Sequence, residues 1–224
     1  MRVIDLSMPI GEGHLRWPVS HEIKGNFAAG DLFQVSWLRT SCHGFTHVDA
    51  PRHMVPGGAT LDDLELGRVV GPAAVIDLSD VQPDEEIGPE RLAGRAGHLK
   101  PGEIALFRSC WDEQRDWRTE AFWREAPYLS RDACEWLLAR EITAAAFDFP
   151  QDWTIRRLLD GEVRPIHEHV SHDVLLRKNV TLIEYLAGTR ALKAERVLLV
   201  AAPLRLTGAD GALARVVAIE GLLD

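Results

Sequence analysis

Short apolar runs, each broken by Gly, Pro, Asp or Asn, dominate the hydropathy pattern of this chain. Val3–Leu6, Phe33–Thr40, Ala73–Leu78, Ile104–Arg108, Ala144–Phe149, Val180–Glu184, Val197–Ala201 and Arg215–Ile219 have the length and the Val/Ile/Leu/Ala content of strands. Helical spacing is clearest after Ser130, a good N-cap, where Ala133, Trp136 and Leu137 recur before Arg140. A second helix is predicted from His169 to Arg177, stopped by Lys178-Asn179. The stretch from Pro83 to Gly102 is charged and Gly/Pro-punctuated, and reads as loop with a short helix. No repeat, low-complexity segment or linker interrupts this order. Mixed strands with few helices predict an α/β fold: a single domain over residues 1–224, with a central mixed β-sheet or barrel-like core flanked by helices.

Composition narrows the class. At 46% apolar residues the chain can build its own core without disulfides or a structural metal. Cys42, Cys110 and Cys134 are odd in number, widely spaced and without a CxxC pair, which argues against a disulfide framework and fits a reducing compartment. The start, Met1 to Ser7, holds no apolar stretch of signal-peptide length, and no window approaches the roughly 18 apolar residues of a membrane span. The expectation is a cytoplasmic protein that does not engage membranes. The formal charge is −9, from 25 basic and 34 acidic residues, with no basic patch, which discourages nucleic-acid binding. A small-molecule substrate is the expected partner.

The chemistry concentrates in Ser41-Cys42-His43-Gly44-Phe45-Thr46-His47-Val48-Asp49-Ala50-Pro51-Arg52-His53. Three histidines and a carboxylate so closely spaced are a donor set for a borderline divalent cation such as Zn²⁺ or Mn²⁺. On an extended backbone His47 and Asp49 emerge on one face. His43 joins them if the chain turns before His47, and Pro51 redirects the chain so that His53 can reach the same point. The bland alternative is a surface loop with dispersed histidines. Further on, His172 and Glu184 form a second candidate set. Glu184 ends an apolar run, where a carboxylate is costly unless paired or bound to a cation. Alone, each reads as an ordinary helix or strand-end residue; a two-metal site would give them a purpose.

These residues resemble the cyclase family, which contains bacterial kynurenine formamidases and isatin hydrolases. The family motif His-x-Gly-Thr-His-x-Asp-x-Pro-x-His is matched by His43 to His53. Asp5-Leu6-Ser7 with Trp17-Pro18 resembles the family's opening. Phe147-Asp148 with Asp152, His172 with Leu175-Leu176 and Glu184, and Ala202-Pro203-Leu204 with Gly208-Ala209-Asp210-Gly211 and Arg215 resemble later segments. The resemblance implies the cyclase fold, a homodimer or homotetramer, and one or two divalent ions per chain. It implies that His43, His47 and Asp49 bind one ion, that Asp49 bridges to a second held by His172 and Glu184, and that His53 is a non-ligand general acid/base.

The implied activity is metal-dependent hydrolysis of a small non-peptide amide, of the arylformamidase or cyclic amidase type. Cys42 is a poor nucleophile candidate once His43 is committed, and no Gly-x-Ser-x-Gly elbow is present. A cyclase or dehydratase acting on a carbonyl substrate and a non-catalytic metal-binding protein are the alternatives. One departure concerns the substrate. Phe45 occupies the motif's Gly position and Gly44 stands where Thr is usual. A ring there is expected to take volume from the pocket or cap it, making a poor N-formylkynurenine hydrolase. Trp17 is a second candidate pocket residue.

Overall fold

The computed structural model describes residues 1–223. Its strands are β1 (Arg2–Asp5), β2 (Ser20–Gly25), β3 (Val35–Arg39), β4 (His47–Asp49), β5 (Val70–Asp77), β6 (Glu86–Ile87), β7 (Ile104–Arg108), β8 (Tyr128–Leu129), β9 (Ala144–Ala146), β10 (Thr181–Glu184), β11 (Arg196–Val200), β12 (Gly211–Leu213) and β13 (Val217–Glu220). The helices are α1 (Pro89–Arg95), α2 (Trp111–Gln114), α3 (Glu120–Arg124), α4 (Arg131–Leu138), α5 (Ile155–Leu159) and α6 (Val170–Val174). One nine-stranded sheet carries the fold, in the order β1-β13-β11-β5-β7-β9-β10-β4-β12. Its middle pairs, β5-β7-β9-β10, are parallel and its flanks antiparallel. This is the predicted α/β arrangement around a mixed sheet. No helix among the described residues is long and apolar enough to cross a membrane.

The middle strands read as continuous apolar runs because both of their faces are covered. Ala74, Ile76, Ala105, Phe107, Ala145 and Phe147 pack with Trp111, Trp123 and Leu137 on the helical side. Ala73, Val75, Ile104, Leu106, Ala144 and Ala146 pack with Leu6, Leu186, Leu192 and Val216 on the other. Helix α4 starts as its sequence predicts, with the Ser130 side chain accepting a hydrogen bond from Ala133 N. The helix predicted from His169 is shorter: α6 ends at Val174, a 3₁₀ turn follows over Leu176–Lys178, and Asn179 stops it at φ 64°.

All eight predicted strands exist, but the run Ala144–Phe149 forms a strand only over Ala144–Ala146. Beyond it the chain bends so that Asp148, fully buried, can gather donors. It accepts hydrogen bonds from Ser109 N at 2.9 Å, Ser109 Oγ at 2.6 Å, Cys110 N at 2.8 Å and Thr189 Oγ1 at 2.5 Å. A buried carboxylate is tolerable only when satisfied in this way. It ties the ends of β7 and β9 to the loop after β10.

Strand β2, Ser-His-Glu-Ile-Lys-Gly, has no apolar alternation and was not legible. It pairs with β3 in a hairpin apart from the main sheet, leaving Ile23, Val35, Trp37 and Leu38 exposed.

Two antiparallel pairings position the site. Strand β10 sets Glu184 opposite His47, and β12 sets Gly211 opposite Asp49. Val48 and Ile183 turn into the core, so His47, Asp49 and Glu184 emerge together on the opposite face.

Candidate metal centre

Asp49 is the hub. Its Oδ1 lies 2.8 Å from His43 Nδ1 and 3.1 Å from His47 Nε2, and its Oδ2 lies 3.5 Å from His172 Nε2. Glu184 closes the other side, 3.8 Å from His47 Nε2 and 3.3 Å from His172 Nε2. Pro51 ends the extended segment and starts a 3₁₀ turn that carries His53 back. The His53 ring stacks on that of His43 with centroids 3.8 Å apart, and lies 5.4 Å from His172. Donor atoms of His43, Asp49 and His53, and those of His47, Asp49 and Glu184, form two groups each within 4.8 Å. The structure therefore brings together every candidate ligand and His53.

The hydrogen bonds around this cluster set which nitrogens face inward. His47 Nδ1 donates to the Phe45 carbonyl at 2.9 Å, and His172 Nδ1 donates to Asp152 Oδ2 at 2.5 Å. Both Nε2 lone pairs are thereby aimed at carboxylate oxygens. Lone pair against anion is repulsive unless a proton or a cation stands between them. Asp49 Oδ2 is buried with no hydrogen-bond partner among the described residues. An orphaned oxygen on a carboxylate that faces His43, His47 and His172, the last two rings held from behind by a carbonyl or a carboxylate, fits a divalent cation.

The titration behaviour has the same origin. Burial raises Asp49, but the charge of His47 and the imidazoles of His172, His43 and His47 facing its oxygens outweigh it, holding Asp49 well below the usual carboxylate range. Burial lowers His172, yet Asp152, Asp49 and Glu184 drive it well above an ordinary imidazole. His43 rises to about 9, because bonding to Asp49 and Asp210 overcomes burial. His53 is driven down to about 4 by burial, with Asp49 opposing.

The cluster floors a cleft of about 360 Å³ walled by Trp17, Met54, Ile155, Leu158, Val163 and Tyr185. Trp17 is in place as a candidate pocket residue. Phe45 is not. Its backbone has φ 58°, which turns the ring away from the cleft. The fully buried ring packs edge-on to His14 at 4.7 Å and Trp117 at 5.9 Å. The expectation that Phe45 gates the substrate is corrected accordingly.

Gly44 is the departure that bears on the cleft. A Cβ there would approach Trp17 Cβ and Cγ to 3.1 Å, displacing that wall. Gly211 does the same for the centre, since its Cβ would sit 2.7 Å from His43 Cε1.

Phe45→Gly should relieve a left-handed conformation costing about 1–2 kcal/mol. It should also lose a buried aromatic ring, whose removal costs about 3–5 kcal/mol. A net destabilisation of about 1–4 kcal/mol in urea unfolding is expected, without easier entry of larger substrates. A stabilised variant, or one with widened substrate range, would place the ring in the cleft.

Several participants carried no sequence signal of their own role. Asp152, a landmark only in the resemblance, holds His172 and also accepts from Ser171 N at 2.8 Å. Asp210 lies 3.1 Å from His43 Nε2. Gln151 Nε2 contacts Glu184 Oε1 closely. Arg16 Nη1 donates to the Tyr185 hydroxyl at 3.1 Å. All reach the site from distant segments.

The Cyclase family matches residues 4–151. A kynurenine formamidase of Bacillus cereus is 30% identical over 218 residues, covering 96% of this chain and 95% of its own. Among solved structures, an isatin hydrolase bound to the product analogue thioisatinate superposes with a TM-score of 0.80 at 25% identity, covering 96% of this chain and 91% of that one. A potential metal-dependent hydrolase with cyclase activity gives 0.73 at 28% identity, covering 97% and 96%. A match that starts in the first strand and runs past the His43 to His53 motif, with relatives aligned end to end, makes this chain a member of the Cyclase family.

Proposed function

We propose that this protein is a metal-dependent hydrolase of small non-peptide amides, aryl formamides or cyclic amides, with His43, His47, Asp49, His172 and Glu184 holding one or two Zn²⁺ or Mn²⁺ ions. The observation that carries this reading is the buried, orphaned Asp49 Oδ2 in a cluster whose His43, His47, His172 and Glu184 line an apolar-walled cleft. A divalent cation bound there supplies Lewis acidity and lowers the pKa of water from about 15.7 to about 7. The chain's residues do the rest. Asp152 and the Phe45 carbonyl fix the tautomers of His172 and His47, and Asp210 places its charge 3.1 Å from His43 Nε2. Trp17, Ile155 and Leu158 offer a planar organic body an apolar wall and exclude bulk water. His53, stacked on His43 at the cleft floor, is placed to carry a proton to the departing amine.

A purely structural metal site would be closed by protein ligands; this one opens into a cleft. The exposed β2–β3 hairpin is the apolar surface that a homodimer or homotetramer would cover.

Metal analysis of protein purified without added metal, followed by assays on formanilide, N-formylkynurenine and isatin, tests the proposal. One to two ions per chain, and turnover abolished by a chelator and restored by Zn²⁺ or Mn²⁺, are expected. Ring closure rather than water addition in the products would transfer the site to cyclase chemistry. Metal-free protein with no turnover would overturn the reading.

A further inference from the structure

Two guanidinium groups line the cleft, and only one is spent. Arg164 forms a two-pronged pair with Glu168, at 2.8 and 3.0 Å. Arg16 makes no ion pair among the described residues. Its one side-chain hydrogen bond there is to the Tyr185 hydroxyl, at 3.1 Å. The group is nevertheless firmly placed. Its guanidinium carbon lies 5.0 Å from the Trp17 ring centroid and 5.3 Å from that of Trp123. The backbone is fixed as well, since Arg16 N and Trp17 N both donate to His14 Nδ1 at 3.1 Å. Burial holds the His14 pKa at about 4, and its ring is walled by Phe45, Trp117 and Trp123.

Tyr185 relates this cation to the metal centre. It follows Glu184 directly, and its ring centroid is 5.3 Å from that of His47. The Arg16 guanidinium therefore stands across one aromatic ring from the ligand cluster, beside the apolar wall. A half-buried guanidinium with four uncommitted N–H groups is a ready partner for an anion, and its planar fork matches a carboxylate.

We propose that Arg16 is a specificity residue, binding a carboxylate carried by the substrate at a distance from the scissile amide. The preferred substrate is then an anionic aryl amide. This rests on the hydrolase reading above and narrows it.

The test compares formanilide with ortho-, meta- and para-formamidobenzoate, in wild type, Arg16→Gln and Arg16→Lys. The wild type should prefer at least one formamidobenzoate over formanilide. The ratio of their kcat/KM values should fall about ten- to a hundredfold in Arg16→Gln, mainly through KM, and recover in part in Arg16→Lys. Benzoate binding, followed by quenching of tryptophan fluorescence, should weaken by a similar factor. A ratio unchanged by Arg16→Gln, or a wild type indifferent to the carboxylate, overturns the proposal. Should no amide be turned over, the hydrolase reading fails by itself. Benzoate affinity then decides on Arg16: weakening in Arg16→Gln supports the anion site, and equal affinity removes it.

Discussion

Asp49→Ala should strip the protein of most of its bound metal and, with it, of measurable turnover. Both oxygens of Asp49 face imidazole nitrogens, from His43 and His47 on one side and His172 on the other. Among the described residues, no other carboxylate pairs with all three. Removing a partner outside the coordination sphere already weakens metal affinity by about 10–100-fold, and a shared ligand should cost more. The substitution also leaves buried imidazoles without their counter-charge, a loss of about 3–5 kcal/mol when a buried pair is broken. Asp49→Asn preserves shape and separates the two effects: it should fold better than Asp49→Ala yet remain metal-poor. Elemental analysis and urea unfolding measure both. Full stoichiometric metal in either variant would remove Asp49 from the ligand set.

For His53→Ala the expected outcome differs: metal content near that of the wild type, with turnover reduced by about 10²–10⁴-fold, the range for loss of a general acid or base. The geometry makes this a sharp test. His53 comes close enough to His43 and Asp49 to serve as a ligand, while its stacking on the His43 ring, at 3.8 Å, offers it a place without coordination. Partial rescue of the variant by added imidazole would support proton transfer. Metal content falling in step with activity would make His53 a ligand and leave the proton carrier to be found elsewhere.

The chain's strands were legible because β5, β7 and β9 are buried on both faces and so read as unbroken apolar runs. The cluster from His43 to His53 was legible because its members are neighbours in sequence. Glu184 was visible as an anomaly, a carboxylate at the end of an apolar strand, but its partner was not. That depends on the β10–β4 register, which sets it opposite His47. Asp152, Asp210 and Arg16 are ordinary surface residue types, and only long-range folding gives them work. Phe45 shows the limit most clearly. Its place in the motif put a ring near the metal ligands, but a positive φ sent that ring into the core. Side-chain direction at a left-handed residue is a backbone property, and the identity of the residue does not reveal it.

The alternation of His47, Val48 and Asp49, set against Ile183 and Glu184, constrains how such a protein can vary. Ligands and core residues share one two-residue rhythm on these paired strands. A single inserted or deleted residue in β4 or β10 would carry Val48 or Ile183 into the cleft and a carboxylate into the core, exchanging the two sets at once. Substitution alters one face at a time; a change of length alters both. Divergence in this segment is therefore confined to replacement, and insertions and deletions must fall in the loops beyond the paired strands.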